Sequence, residues 1–230
     1  MQEVSCSDEH RIRFLGIWKD GAYTLICNVS DANGGGVTDS IKSPTRRAAL
    51  VAAFSSALWG FSKCGVLSPS TTSYLCSCGQ PLLKKMRASD LASVAWGVAK
   101  AREGMVREGV WSRDERVEEF MVGVMKRAMS EKVSRQRGRI ELSSMCLTLP
   151  MPFQVLPWLT PMEAGVLMWA FAKFTEGGGG KMAVDDLFDA CLGVVENGLG
   201  DTNSQSIAVV LWATEKAGVG VDRGKAIFDR

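Results

Sequence analysis

The chain has 230 residues, 46% hydrophobic and 23% charged, with a formal net charge of +2. That length and composition suffice for a real core and exclude wholesale disorder. Seven cysteines, an odd number without the spacing of a disulfide scaffold, point to a reducing compartment, and no apolar run reaches the length of a membrane span.

The N-terminal segment MQEVSCSDEH is polar and acidic and looks like neither a secretory signal nor a transit peptide. Residues 11–29 hold two β-rich runs around Lys19-Asp20-Gly21, a hairpin pattern. Asp31–Gly36 reads as a flexible link, so residues 1–40 form an N-terminal extension.

The rest of the chain is repetitive. Four tryptophans head similar segments: AAFSSALWGFSKCG at Trp59, ASDLASVAWGVAKA at Trp96, TPMEAGVLMWAFAKF at Trp169 and SQSIAVVLWATEKAG at Trp212. They are spaced by 37, 73 and 43 residues. The second interval is close to a doubled period, and the third carries a glycine insert, Gly177–Gly180. Four residues after each Trp stands a lysine: Lys63, Lys100, Lys173 and Lys216. Small residues stand one after it (Gly60, Gly97, Ala170, Ala213) and four before it (Ser55, Ala92, Gly165, Ala208). Chance does not align so many columns across four segments.

Projected as a helix at about 100° per residue, positions five and two before the Trp and two and five after it share one face. In the second copy these are Leu91, Val94, Val98 and Ala101. The Trp lies on the opposite face among small residues. The helix is therefore apolar on two sides and expected to be buried between neighbours, with the small residues letting adjacent backbones close on the indole.

Each Trp helix needs a partner, and the candidates are Ser70–Met86, Arg113–Val133 and Met182–Asn197. Gly65, Gly104, Gly177 and Gly218 are placed as C-terminal caps, and Ser89–Asp90 and Thr160–Pro161 as N-terminal ones. Residues 41–137 are read as repeats one and two and 161–230 as repeats three and four. The last second helix is barely begun at GKAIFDR, which suggests a longer protein or a neighbour covering this end. Residues 138–160, with Pro150, Pro152 and Pro157, form an insert that replaces part of a repeat. The expected fold is all-α: an α-solenoid of helix-turn-helix repeats of about 37 residues, with a short β-hairpin-like N-terminal extension.

DLASVAWGVAKA and MEAGVLMWAFAKF resemble the first helix of octotricopeptide repeats. They are also similar to repeats of FAST-kinase-domain proteins and of heptatricopeptide and RAP-domain proteins. The resemblance covers roughly residues 45–230, interrupted at 138–160. It implies an organellar RNA-binding solenoid in a mitochondrion, with a chloroplast as the alternative. It further implies a role in transcript maturation, translation control or the organellar ribosome, in contact with rRNA and neighbouring proteins of a ribonucleoprotein assembly. A C-terminal RAP-like domain and even repeat spacing are not seen in this sequence, and neither are the helix signatures of pentatricopeptide or tetratricopeptide repeats.

The leading RNA candidates lie in Lys126–Arg139, where Lys126, Arg127, Lys132, Arg135, Arg137 and Arg139 face one acid, Glu131, for a local net charge of +5. Such a stripe neutralises phosphates, and arginines also stack on unpaired bases. Cations at a helix C-terminus complement its dipole, which explains Lys126 and Arg127 but not the arginines beyond. Arg46 and Arg47 at a helix start oppose that dipole, and Lys84, Lys85 and Arg87 lie between repeats one and two. The periodic lysines, Lys100 and Lys173 among them, are read first as stems laid over the indoles and second as phosphate contacts.

Catalysis finds no constellation. The single histidine, His10, has no nucleophile arranged with it. Cys76 and Cys78, two apart on a helix, diverge and cannot chelate together. Gly34–Gly36 and Gly177–Gly180 lack the Lys-Ser/Thr ending of a phosphate loop, and Asp185, Asp186 and Asp189 read as a solvated helix face. No enzyme activity, cofactor, metal or membrane partner is expected. Within RNA binding, a structural component of a mitochondrial ribosome is preferred to a transcript-specific factor. A protein–protein scaffold is the rival from another class.

Overall fold

The structure, a computed structural model, describes residues 44–130, 159–176 and 184–228. The predicted hairpin at 11–29, most of the insert at 138–160 and the glycine run 177–180 lie outside these residues. Among the described residues the chain is all-helical: α1 Pro44–Lys63, α2 Pro69–Gly79, α3 Ala88–Arg107, α4 Glu115–Ala128, α5 Pro161–Thr175, α6 Asp185–Asn197, α7 Ser204–Ala217 and α8 Val221–Phe228. Two 3₁₀ turns, Gln80–Lys85 and Leu199–Asp201, follow α2 and α6. No described helix is long and apolar enough to cross a membrane.

Local chemistry sets most helix ends. At the start of α5, the Thr160 amide donates to Glu163 Oε2 at 2.7 Å and the Glu163 amide donates to Thr160 Oγ1 at 3.2 Å. This is a reciprocal capping box, with Pro161 at the first helical position. Asp114 caps α4 by accepting from the Arg116 and Val117 amides. Gly218, at φ +68°, ends α7 in the left-handed conformation expected of a C-terminal glycine.

Three predicted boundaries are corrected. The first partner helix does not run unbroken over Ser70–Met86. Pro81 lacks the N–H and crowds the preceding turn, so α2 stops at Gly79 and tightens into the 3₁₀ turn. Gly104 is not a cap, because α3 runs on to Arg107 and the left-handed glycine is Gly109, at φ +70°. Ser89 is not the N-cap of α3. The helix begins at Ala88, and the Arg87 amide donates to Asp90 Oδ2 at 3.0 Å.

Two compact units divide the chain, Met1–Ala53 and Phe54–Arg230. In the first, Pro44–Ala53 is helical. In the second, the Trp-bearing helices pack side by side: the part of α1 from Phe54 on meets α3, α3 meets α5, and α5 meets α7. Each of α3 and α5 also packs on the helix that follows it, and α7 packs on α8. Phe120, Phe171, Phe188, Leu91, Leu167 and Leu192 are fully buried between these elements.

Small residues permit the side-by-side approach. A Cβ on Gly97 would lie 3.1 Å from Leu58 Cγ and 3.2 Å from the Leu58 carbonyl oxygen. A Cβ on Gly165 would lie 3.4 Å from Val210 Cγ2. Thus the small position after the Trp abuts the preceding Trp helix, and the one four before it abuts the following helix.

Candidate functional site

With α1, α3, α5 and α7 in register, their tryptophans meet across every junction. Ring centroids are 5.7 Å apart for Trp59 and Trp96, 6.2 Å for Trp96 and Trp169, and 6.4 Å for Trp169 and Trp212, with interplanar angles of 26–34°. Trp96 and Trp169 stack, and the other two pairs are tilted at similar separations. The expectation that the indoles are buried is corrected: Trp59 is 40% exposed, and Trp96, Trp169 and Trp212 are half-buried. Neighbouring helices cover the flanks, whereas the Trp stripe, running through Ser93, Trp96, Lys100 and Glu103 on α3, keeps partial access to solvent. The result is one column of four indoles along the Trp-bearing helices.

Beside the column runs a row of charges. Lys100 pairs with Glu103 at 2.6 Å, Glu103 reaches Lys173 on the next helix at 3.2 Å, Lys173 pairs with Glu176 at 3.2 Å, and Glu176 meets Lys216 at 2.7 Å. The acids stand seven residues after their tryptophans and the lysines four after, so each acid bridges its own lysine and the next one. Burial alone would push the Glu103 carboxyl up, but the hydrogen bonds from Lys100 and Lys173 hold it below the usual carboxylate range. The Lys216 hydrogen bond does the same for Glu176. Stacking of the lysine stems holds in part. The Lys63 ammonium lies 4.7 Å from the centroid of its own Trp59, and that of Lys173 lies 5.0 Å from Trp212 of the next helix.

Arg102, which the repeat pattern did not single out, is 6% exposed and spans two repeats. Its guanidinium donates to the Lys173 and Glu176 carbonyls, both at 2.7 Å, which satisfies carbonyls at the end of α5. The same group sits 5.6 Å from the Trp111 ring centroid and 5.4 Å from that of Phe174. Glu103 and Glu176 were legible, because they recur at one offset from Trp. Arg102 was not, since its counterparts are Gly65, Thr175 and Gly218.

The predicted RNA residues fall in several places. Lys126 is exposed on the last turn of α4, whereas Arg127 is half-buried, donates to Ser130 Oγ at 3.2 Å and keeps a buried Nε that no described atom accepts from. Lys132, Arg135, Arg137 and Arg139 lie outside the described residues. Arg46 and Arg47 belong to the first turn of α1, their side chains outside the description. Lys84, Lys85 and Arg87 are exposed on and just after the first 3₁₀ turn. Lys100 and Lys173 both have carboxylate partners in the charged row.

Other chemistry is sparse. Among the described residues no group of His, Cys, Asp or Glu could hold a metal ion. Cys76 is buried and Cys78 half-buried, in keeping with side chains that diverge. Burial pushes the Cys76 thiol well up and that of Cys191 up to about 12, so neither is a ready thiolate. Asp185, Asp186 and Asp189 are exposed.

No family model, curated protein or solved structure matches the chain.

Proposed function

We propose that the chain is a helical-repeat RNA-binding protein of the α-solenoid type, working in a mitochondrion as a structural component of its ribosome in contact with rRNA. The observation that carries this reading is the register of the four Trp helices. The sequence period that resembles octotricopeptide repeats coincides with side-by-side packing, and an indole pair marks each junction. Aromatic side chains with partial access, beside lysines, suit unpaired bases and phosphates. The basic stretch Lys126–Arg139, which starts from the exposed Lys126, adds local positive charge in the sequence.

The test is crosslinking in organelle extract followed by sequencing of the attached RNA. Ribosomal RNA recovered together with ribosome-sized sedimentation is the expected result. A single transcript recovered away from ribosomes would replace the structural role with a maturation or stability role.

A scaffold for other proteins is the second reading. It is favoured by the charged row, in which Glu103 and Glu176 cancel much of the charge that Lys100, Lys173 and Lys216 would offer to phosphates. Extracts that yield protein partners and no crosslinked RNA would put it first.

A further inference from the structure

The charged row has a missing rung. Between α3 and α5 the bridging acid is Glu103, and between α5 and α7 it is Glu176. The equivalent position between α1 and α3, seven after Trp59, is Val66. It lies beyond the end of α1, after Gly65 at φ +66°. Two successive lysines of the row, Lys63 and Lys100, therefore have no acid between them. Lys100 keeps its own Glu103, and Lys63 has no carboxylate partner among the described residues. The same junction carries Trp59, the most exposed of the four indoles, covered on one ring face by the Lys63 ammonium.

We infer that this junction is a nucleotide site for single-stranded RNA, an assignment that rests on the RNA-binding reading above. The phosphate takes the place of the missing carboxylate, facing Lys63 and Lys100, and the adjoining unpaired base stacks on Trp59. Lys63 over an exposed indole is a weak contact, so exchanging it for a base on the ring and a phosphate on the ammonium is favourable. A duplex offers phosphate but no free base face. At the other two junctions Glu103 and Glu176 already occupy the phosphate position and repel it. One nucleotide is therefore held at the α1–α3 end, rather than one at every repeat.

The test titrates the full chain with a fluorescein-labelled, unstructured oligoadenylate and follows its anisotropy. Trp59→Ala is expected to weaken binding at least about fivefold, the lower end for loss of one stacked base, and Trp59→Phe to retain most of the affinity. Lys63→Glu gives the row the acid it lacks. It is expected to weaken binding about tenfold and to lower the salt slope by about one released counterion, while the melting temperature does not fall. Lys225→Glu, an exposed lysine on α8, makes the same change in net charge and should bind as the wild type does.

Affinity that survives both Trp59→Ala and Lys63→Glu, yet disappears on reversing Arg135, Arg137 and Arg139, overturns this site and leaves the RNA-binding reading intact. Equal affinity for a duplex overturns the stacked base. A wild-type chain that binds no RNA, whether or not it retains a phosphoserine peptide, overturns the site and the RNA-binding reading together. If Trp59→Ala melts early, Trp59→Phe and Lys63→Glu carry the test.

Discussion

Trp96 and Trp169, 73 residues apart in the chain, stack with their ring centroids 6.2 Å apart. An interval near twice the repeat length could have concealed a whole Trp helix between them. Direct stacking leaves no room for one. The long interval is a single repeat carrying an insertion, and α3 and α5 are neighbours.

If the indole column holds the junctions, removing an inner member disturbs two contacts and removing an outer member one. Trp96→Ala and Trp169→Ala are each expected to cost about 2–4 kcal/mol in denaturant unfolding, and Trp212→Ala less. Near-ultraviolet circular dichroism provides a second check. Loss of Trp96 should reduce the signal by more than the share of one tryptophan, because stacked chromophores couple.

Arg102 joins repeats by binding carbonyls at the end of α5. Arg102→Met keeps much of the stem and removes both hydrogen bonds, and should destabilise the fold by about 2–4 kcal/mol. Arg102→Lys is expected to restore little, since a single ammonium cannot span two carbonyls as the planar guanidinium does. Chemical denaturation of the three proteins decides the point.

Lowered carboxyl ranges at Glu103 and Glu176 carry a pH dependence of known sign. Both folded carboxyls titrate below the ordinary glutamate value of about 4.3. The row therefore contributes stability above that value, which is lost as pH falls through the folded ones. Melting temperature should drop as pH falls below about 4.3, and Glu103→Gln should shallow that drop while lowering the plateau near neutral pH.

Glycines at two positions should respond oppositely. At Gly97 any side chain presses on the Leu58 backbone, so Gly97→Val is expected to cost about 1–3 kcal/mol. Gly104 sits inside α3 with nothing within 4 Å of a Cβ, and Gly104→Ala should stabilise by about 0.5–1 kcal/mol. Thermal or chemical melts of the two variants test whether close approach of α1 and α3 limits this surface.

The helical character, the Trp period and the small residues at the junctions were readable because each recurs at a fixed offset. The partial exposure of the tryptophans was not readable. Projection of one helix finds its apolar sides but not how many neighbours touch it. Here the flanking helices pack through Gly97 and Gly165, and the indoles satisfy one another at the outer edge. Arg102 was not readable because it occurs in one copy only, so no column of the repeat points to it. Pro81 was the readable signal that the first partner helix would break, and apolar spacing alone outweighed it.

Arg102 and Glu103 also bear on how the chain tolerates change. The contact between α3 and α5 is made by residues of those helices themselves: the guanidinium on the α5 carbonyls, the carboxylate on Lys173 and the indole pair. On these contacts alone, a change in the length of the connection between the two helices is expected to leave the junction in place. Lengthening such a connection costs little, about 0.6 kcal/mol per doubling by loop closure. The junction thus works as an insertion port, a place where sequence can be gained, exchanged or trimmed between repeats while the indoles on either side stay in line.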